Sequence, residues 1–250
     1  NHQYGIYLAK ASQTFINKHN LKLDFIASHG HTWFHQPEKG ITYQLGCGPE
    51  IAAITNCTTI SNFRLDDVIL GGQGAPLVPI GDRDLFNKHQ ACLNLGGFAN
   101  ISFDKNGERI AFDICSLNIA LNFYCQKLGL PYDDGGIIAA TFPYHEKLVV
   151  ELDALGFYQL PAPKSLGIEW VKKEIFPLIN SYELSPEVII SSLSEHSARQ
   201  ISKCLVKNKI DNCLFSGGGA LNEHLVQRIS FLSAKKSELA PLEVLHFKEA

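Results

Sequence analysis

Asp113 stands in Phe112-Asp113-Ile114-Cys115, where a strand-like run gives way to a helical pattern. A carboxylate at such a junction can act as a base on a substrate lying over the strand ends, and it can equally cap the helix that follows. Gly217-Gly218-Gly219 come directly after the short apolar run Cys213–Phe215 and before a second helical pattern. Backbone N–H groups with no side chain in the way, at a helix N-terminus, suit phosphate; a tight turn packing helix on sheet is the other reading. The run lacks the Gly-Lys-Ser/Thr of a P-loop and does not fit the Gly-x-Gly-x-x-Gly dinucleotide pattern.

Gly71-Gly72-Gln73-Gly74-Ala75-Pro76 forms another glycine-rich stretch, preceded by Arg64, Asp66 and Asp67. An arginine can hold a carboxylate in a two-point fork, and glycines let backbone amides approach a ligand. These are the parts of a polar substrate pocket, or of a rigid surface loop tied by an Arg–Asp pair. Asn94, Gly96, Gly97 and Asn100 mark a strand-to-strand turn whose small and amide residues could serve the turn or a ligand. Asp133 and Asp134, before Gly135-Gly136, read as turn residues. His29, His31 and His35 lie in a predicted loop with no nearby carboxylate ligand, so they read as hydrogen-bonding or substrate-facing histidines, and no metal ligand is assigned.

The elements that must carry these residues alternate. Spacing predicts a helix over Tyr4–His19, strands at Leu23–Ala27 and Gly40–Leu45, a helix at Pro49–Ile54 and a strand at Thr58–Phe63. Arg64–Pro79 shows no period and is expected to be a long ordered loop. Strands follow at Ala91–Leu95, Ala99–Phe103 and Glu108–Ile114, the last two joined at Asn106-Gly107, a dipeptide suited to a tight hairpin. Helices are expected at Leu117–Leu128, Glu146–Leu155, Leu166–Leu178, Ser185–Lys207 and Leu221–Ile229, with a strand at Asn212–Phe215. Hairpin-ordered strands followed by helix, strand and helix predict an α/β lobe with a mixed sheet.

The 250 residues are 45% hydrophobic and 19% charged, enough apolar mass for a core. A net charge of -3 without a Lys/Arg cluster argues against nucleic acid as partner. The longest apolar runs fall far short of the ~20 residues a membrane helix needs, and a soluble cytoplasmic protein is expected. Seven cysteines without a CxxC pair read as reduced core residues. Methionine is absent although there are 15 Phe, which suggests missing segments.

Ser28-His29-Gly30-His31-Thr32, Asn62-Phe63-Arg64-Leu65-Asp66-Asp67-Val68, Gly71-Gly72-Gln73-Gly74-Ala75-Pro76-Leu77-Val78-Pro79, Asn94-Leu95-Gly96-Gly97-Phe98-Ala99-Asn100, Phe112-Asp113, Pro163-Lys164-Ser165 and Gly217-Gly218-Gly219 together resemble the anhydro-N-acetylmuramic acid kinases in order and wording. The Gly-Gln-Gly-Ala-Pro-Leu-Val-Pro string is the most specific of them. The resemblance implies a two-lobed actin-like ATPase (ribonuclease H-like) fold, with a partial first lobe at 1–87, a second at 88–250, and ATP and sugar in the cleft between them. It implies ATP with Mg²⁺, conversion of 1,6-anhydro-N-acetylmuramic acid to N-acetylmuramic acid 6-phosphate, and Asp113 as general base. Gly96, Gly97, Gly217, Gly218 and Gly219 are then expected at the nucleotide, and Arg64, Asp67, Gly72, Gln73, Gly74, Asn94 and Glu249 at the sugar. It also allows a homodimer. The family's N-terminal Gly-Thr-Ser-x-Asp-Gly loop is not in the sequence, which breaks off in a C-terminal helix. Another sugar or acetate kinase of the same superfamily, or a non-catalytic remnant without that loop, are the rival readings.

Overall fold

The computed structural model describes residues 1–36 and 39–247. The chain divides into two compact units, Asn1–Leu77 and Val78–Ala250.

In the first unit, α1 (His2–His19) ends where Asn20 takes a left-handed conformation. Its small residues Gly5 and Ala9 are buried, and a Cβ on Gly5 would come within 3.0 Å of the Cys47 backbone. This small-residue face lets α1 pack closely on α2 (Gly48–Thr55), which has proline in its first turn and buries Ile51. β1 (Ile26–Ser28) pairs in parallel with β4 (Thr59–Ser61). β2 (His31–Gln36) pairs antiparallel with β3 (Ile41–Leu45), with a bulge between Thr32 and Phe34. His31 and His35 therefore lie on a strand, not in the expected loop. The strand is exposed along most of its length on both faces, so its sequence carries no alternation to read. α3 (Leu65–Ile69) interrupts the stretch expected to be a loop. At five residues it is too short to display a helical period.

The second unit begins with α4 (Val78–Leu85), which packs on strands of that unit and so belongs with it. The boundary thus falls at 77/78, not at 87/88. Its sheet has five strands: β5 (Ala91–Leu95), β6 (Phe98–Lys105), β7 (Glu108–Ser116), β8 (Asn212–Ser216) and β9 (Lys236–Leu239), in the order β7-β6-β5-β8-β9. β6 runs antiparallel to both neighbours, while β5, β8 and β9 are parallel. This is the mixed sheet that the hairpin-ordered strands predict. Asn106 and Gly107 both have positive φ at the β6–β7 tip, as a tight hairpin requires.

α5 (Asn118–Lys127), α6 (Ile137–Thr141) and α7 (Glu146–Asp153) follow β7, and α8 (Ile168–Trp170) runs through a π turn into α9 (Phe176–Asn180). α10 (Pro186–Lys207) is the long central helix. α11 (Glu223–Ser233) follows β8, and α12 (Leu242–Phe247) follows β9.

The two faces of the sheet differ. Leu93, Leu95, Ile101, Ile114, Cys115 and Phe215 belong to the main apolar core that α5 and α10 close. On the opposite face, Cys92, Leu214 and Ala240 form a small cluster with Phe86. β9 is polar and mostly exposed, so it carried no strand signal. None of the described helices is long and apolar enough to cross a membrane.

Candidate active site

Asp113 lies inside β7, three residues before the strand's last residue, Ser116, and not at its end. A bulge opposite Ala99 and Asn100 shifts the register there, so that Asn100 pairs with Asp113. Asn100 in turn pairs with Asn94, and Asn94 with Ser216. Residues in register on neighbouring strands share a face of the sheet. Asp113, Asn100, Asn94 and Ser216 therefore form a polar row across four strands, on the face that carries Cys92 and Leu214. With strands ~4.8 Å apart, the row spans about 14 Å. Gly217 continues the chain from its far end.

β7 is an edge strand, and its outer side is covered by the segment at 164–166. The Asp113 backbone N–H donates to Lys164 O at 2.9 Å, and Leu166 N–H donates to Asp113 Oδ2 at 2.8 Å. Asp113 caps no helix, since the residue before α5 is Leu117. Burial pushes its carboxyl above the ordinary aspartate value, against the opposing effect of the Leu166 hydrogen bond. Oδ1 accepts no hydrogen bond from the other described residues. A half-buried carboxylate with raised basicity and one uncommitted oxygen can take a proton from a neighbouring hydroxyl or water.

At the other end of the row, Gly217 has φ 79°, and a Cβ there would lie 2.3 Å from Asn94 Oδ1. Gly219 is equally confined, 2.8 Å from Leu95 O, whereas a Cβ on Gly218 would meet nothing within 4 Å. The glycines open a 3-10 turn, Gly218–Leu221, rather than α11 itself. α11 starts after Asn222, whose side chain accepts from Leu225 N–H. This corrects the expectation that the glycine run enters a helix directly. Between β5 and β6, Gly97 O accepts from Leu117 and Ile119, and Gly96 O from Asn118. That turn thus braces the start of α5.

In the first unit, Arg64 donates from Nε to His29 Nε2 at 2.9 Å and from Nη1 to Gly74 O at 2.6 Å. Gly74 N–H donates to Asp67 Oδ2 at 2.6 Å. The two charged residues are joined through the backbone of Gly74, not through the direct Arg–Asp pair of the rigid-loop reading. Because His29 Nε2 accepts, its Nδ1 carries the proton and donates to Gly30 O. Burial lowers the pKa of the Arg64 guanidinium. A Cβ on Gly72 would overlap the Asp67 carboxylate at 2.3 Å, and Gly74, at φ 61°, abuts Val68 and Arg64. Gln73 is exposed between them.

His29 is a positioning residue for Arg64 that sequence reasoning left without a partner. His35 instead meets Thr42. Asp133 accepts from Ile138 and Ala139 N–H and so caps α6, in keeping with a turn role. Glu249 lies outside the described residues. A cavity of ≈ 640 Å³ in the second unit is lined by Phe112, Ile114, Pro163 and Lys164. It opens on the main-core face of β7, so Asp113 does not line it.

The family model for anhydro-N-acetylmuramic acid kinase matches residues 1–243. A relative of that name from Coxiella burnetii (strain Dugway 5J108-111) is 36% identical over 247 residues, covering 91% of this chain and 65% of its own. Those from Acinetobacter baylyi and Vibrio cholerae are 33% and 36% identical, covering 87% and 83% of this chain and 62% and 59% of theirs. The chain thus spans about 65% or less of the length of these relatives. The chain therefore belongs to the anhydro-N-acetylmuramic acid kinase family.

Proposed function

We propose that the protein carrying this chain is an ATP-dependent kinase that opens and phosphorylates 1,6-anhydro-N-acetylmuramic acid. The observation that carries this reading is the polar row from Asp113 to Ser216, which joins a basic carboxylate to a glycine turn on one sheet face. Family membership supports the choice of substrate.

Asp113 accepts a proton from water as the water oxygen bonds to the anomeric carbon. The bond from that carbon to O6 breaks, and O6 takes the γ-phosphoryl group, giving N-acetylmuramic acid 6-phosphate and ADP. Asn100, opposite Asp113, offers an amide group to sugar hydroxyls or phosphate oxygens, and Asn94 lies one strand further along the row toward the glycine turn. Arg64, oriented by His29 and Gly74, presents a guanidinium suited to the lactyl carboxylate of the sugar.

The glycine turn fits a nucleotide: Gly217 and Gly219 sit where a side chain would clash, and Gly218 is open on its side-chain side. ATP supplies the phosphoryl group. No cluster of three acidic, histidine or cysteine residues that could hold a metal occurs among the described residues. Mg²⁺ would accompany ATP, neutralising and positioning its phosphates.

The test is ADP release by the full-length protein with 1,6-anhydro-N-acetylmuramic acid, glucose or acetate as acceptor, with product identification by mass spectrometry. Turnover of the anhydro sugar alone, to the 6-phosphate, is expected. Turnover of a simple hexose or acetate in its place assigns a different kinase, and no turnover with any acceptor favours a non-catalytic remnant.

A further inference from the structure

We infer that Lys164 is a positioning residue, which fixes the segment that orients Asp113 without itself touching substrate. This rests on the base role proposed above for Asp113.

The segment 164–166 grips Asp113 twice. Lys164 O accepts from its backbone N–H at 2.9 Å, and Leu166 N–H holds Oδ2 at 2.8 Å. Between these grips Ser165 is exposed, so the segment needs an anchor behind it. The Lys164 ammonium supplies one. Nζ donates to Phe157 O at 3.0 Å and lies 4.3 Å from the centre of the Phe157 ring. Phe157 is itself buried and packs against Trp170, as does Tyr158. The Tyr158 hydroxyl meets His196 Nε2 at 2.9 Å, and His196 Nδ1 meets Asp153 Oδ1 at 2.6 Å. His196 is fully buried on α10. Asp113 is thus tied to the central helix through Lys164.

Lys164 points away from Asp113. Its side chain lines the cavity on the main-core face of β7, whereas Asp113 belongs to the opposite face. A direct role on the substrate beside Asp113 is therefore not open to it. Burial and the nearby Lys207 lower its pKa, so the ammonium is retained at a cost, which a surface lysine serving solubility would not bear. Two thiols also act on it, Cys115 on β7 and Cys204 on α10, with pKa values pushed up to about 12 and about 11 by burial. Neither is charged in the range where Asp113 titrates.

Freeing the segment removes the Leu166 hydrogen bond, the one contact that lowers the Asp113 pKa. The ionised base then becomes harder to form. In the full-length protein, Lys164→Met is expected to lower kcat about tenfold, with KM for sugar and ATP within about twofold. The acid limb of the kcat profile should move upward by about half a pH unit, in the direction that loss of a hydrogen bond to the charged form dictates. Lys164→Arg, which keeps a donor for Phe157 O and a cation over the ring, should return most of the turnover and the original limb.

A Lys164→Met variant with wild-type kcat and limb overturns the proposal, as does a fall in kcat with an unmoved limb. A large rise in KM assigns Lys164 to substrate instead and also overturns it. Should Lys164→Met not fold, the Lys164→Gln limb decides in the same way. Amide exchange at Leu166 in the unsubstituted protein gives a readout independent of activity: protection should fall as Asp113 is protonated, and a pH-independent value removes the link. An Asp113→Asn variant that stays active sinks the base role without bearing on that exchange result.

Discussion

The loop at 64–74 and the row that starts at Asp113 hold their site residues in opposite ways. In the first, the charged side chains are engaged with the backbone of their own loop: Arg64 with Gly74 O, Asp67 with Gly74 N–H. In the second, strand pairing and the 164–166 backbone do the holding, and Asp113 keeps one carboxylate oxygen uncommitted among the described residues. A side chain that builds its surroundings cannot be changed without changing them. One held by backbone can be altered chemically while the shape stays.

The largest expected effect follows from that second case. Asp113→Asn should lower kcat by ~10²–10⁴-fold, roughly 3–5 kcal/mol of barrier, while leaving ATP and sugar affinity nearly unchanged. An amide oxygen still accepts from Leu166, so the segment stays in place. The stability sign is opposite to the activity sign. Because burial raises the Asp113 pKa, the folded state binds this proton more tightly than the unfolded chain. The stability this contributes is complete below the unfolded aspartate value and is lost as pH rises through the raised value. At neutral pH the ionised group is therefore a liability, and Asp113→Asn should melt at the same temperature or higher. Kinetics with a melting curve at pH 5 and pH 8 checks both. A variant that loses activity together with several degrees of melting temperature would indicate a structural role instead.

That site was only partly legible in the sequence. Asp113, the β6–β7 hairpin at Asn106-Gly107 and the glycine run after β8 could be read from local pattern, because turns and short apolar runs have local causes. The polar row could not. It depends on β5 pairing with β8, more than a hundred residues away in sequence, and on a bulge that brings Asp113 rather than Ile114 opposite Asn100. Likewise β2 and β9, exposed along much of their length, bear no alternation, and α3 is shorter than two helical turns. The link from His29 to Arg64 spans 35 positions and is set by the path of the first unit's strands.

The next effect separates two adjacent glycines. Gly217→Val places a branched side chain at φ 79°, against Asn94 and Leu95, and should cost about 1–3 kcal/mol of stability or more through strain and overlap. Gly218 has open space and no positive φ, so Gly218→Val should fold normally and weaken ATP more than sugar in calorimetry. Equal loss of both ligands for Gly218→Val would take the glycine turn away from the nucleotide.

In the first unit the effects should be smaller and appear as affinity. Arg64→Lys cannot donate to His29 and Gly74 in one plane, and should raise KM for the sugar about tenfold or more with a lesser change in kcat. A kcat loss as large as that of Asp113→Asn would erase the distinction between the two regions.

The smallest change tests that distinction most directly. Asp67→Asn keeps an oxygen for Gly74 N–H but removes the charge that strengthens the bond. Hydrogen bonds to charged groups contribute ~1.5–3 kcal/mol and neutral ones ~0.5–1.5, so the loop should lose about 1 kcal/mol of local order, close to a fivefold rise in KM. If Asp67 acts only through Gly74, the effect of Asp67→Asn should largely vanish in an Arg64→Lys background, where the backbone of the same glycine is already loosened. If Asp67 also binds sugar, the two losses should add. A double-mutant cycle on sugar KM distinguishes these, and full additivity would show that this loop, like β7, holds its carboxylate for the ligand rather than for itself.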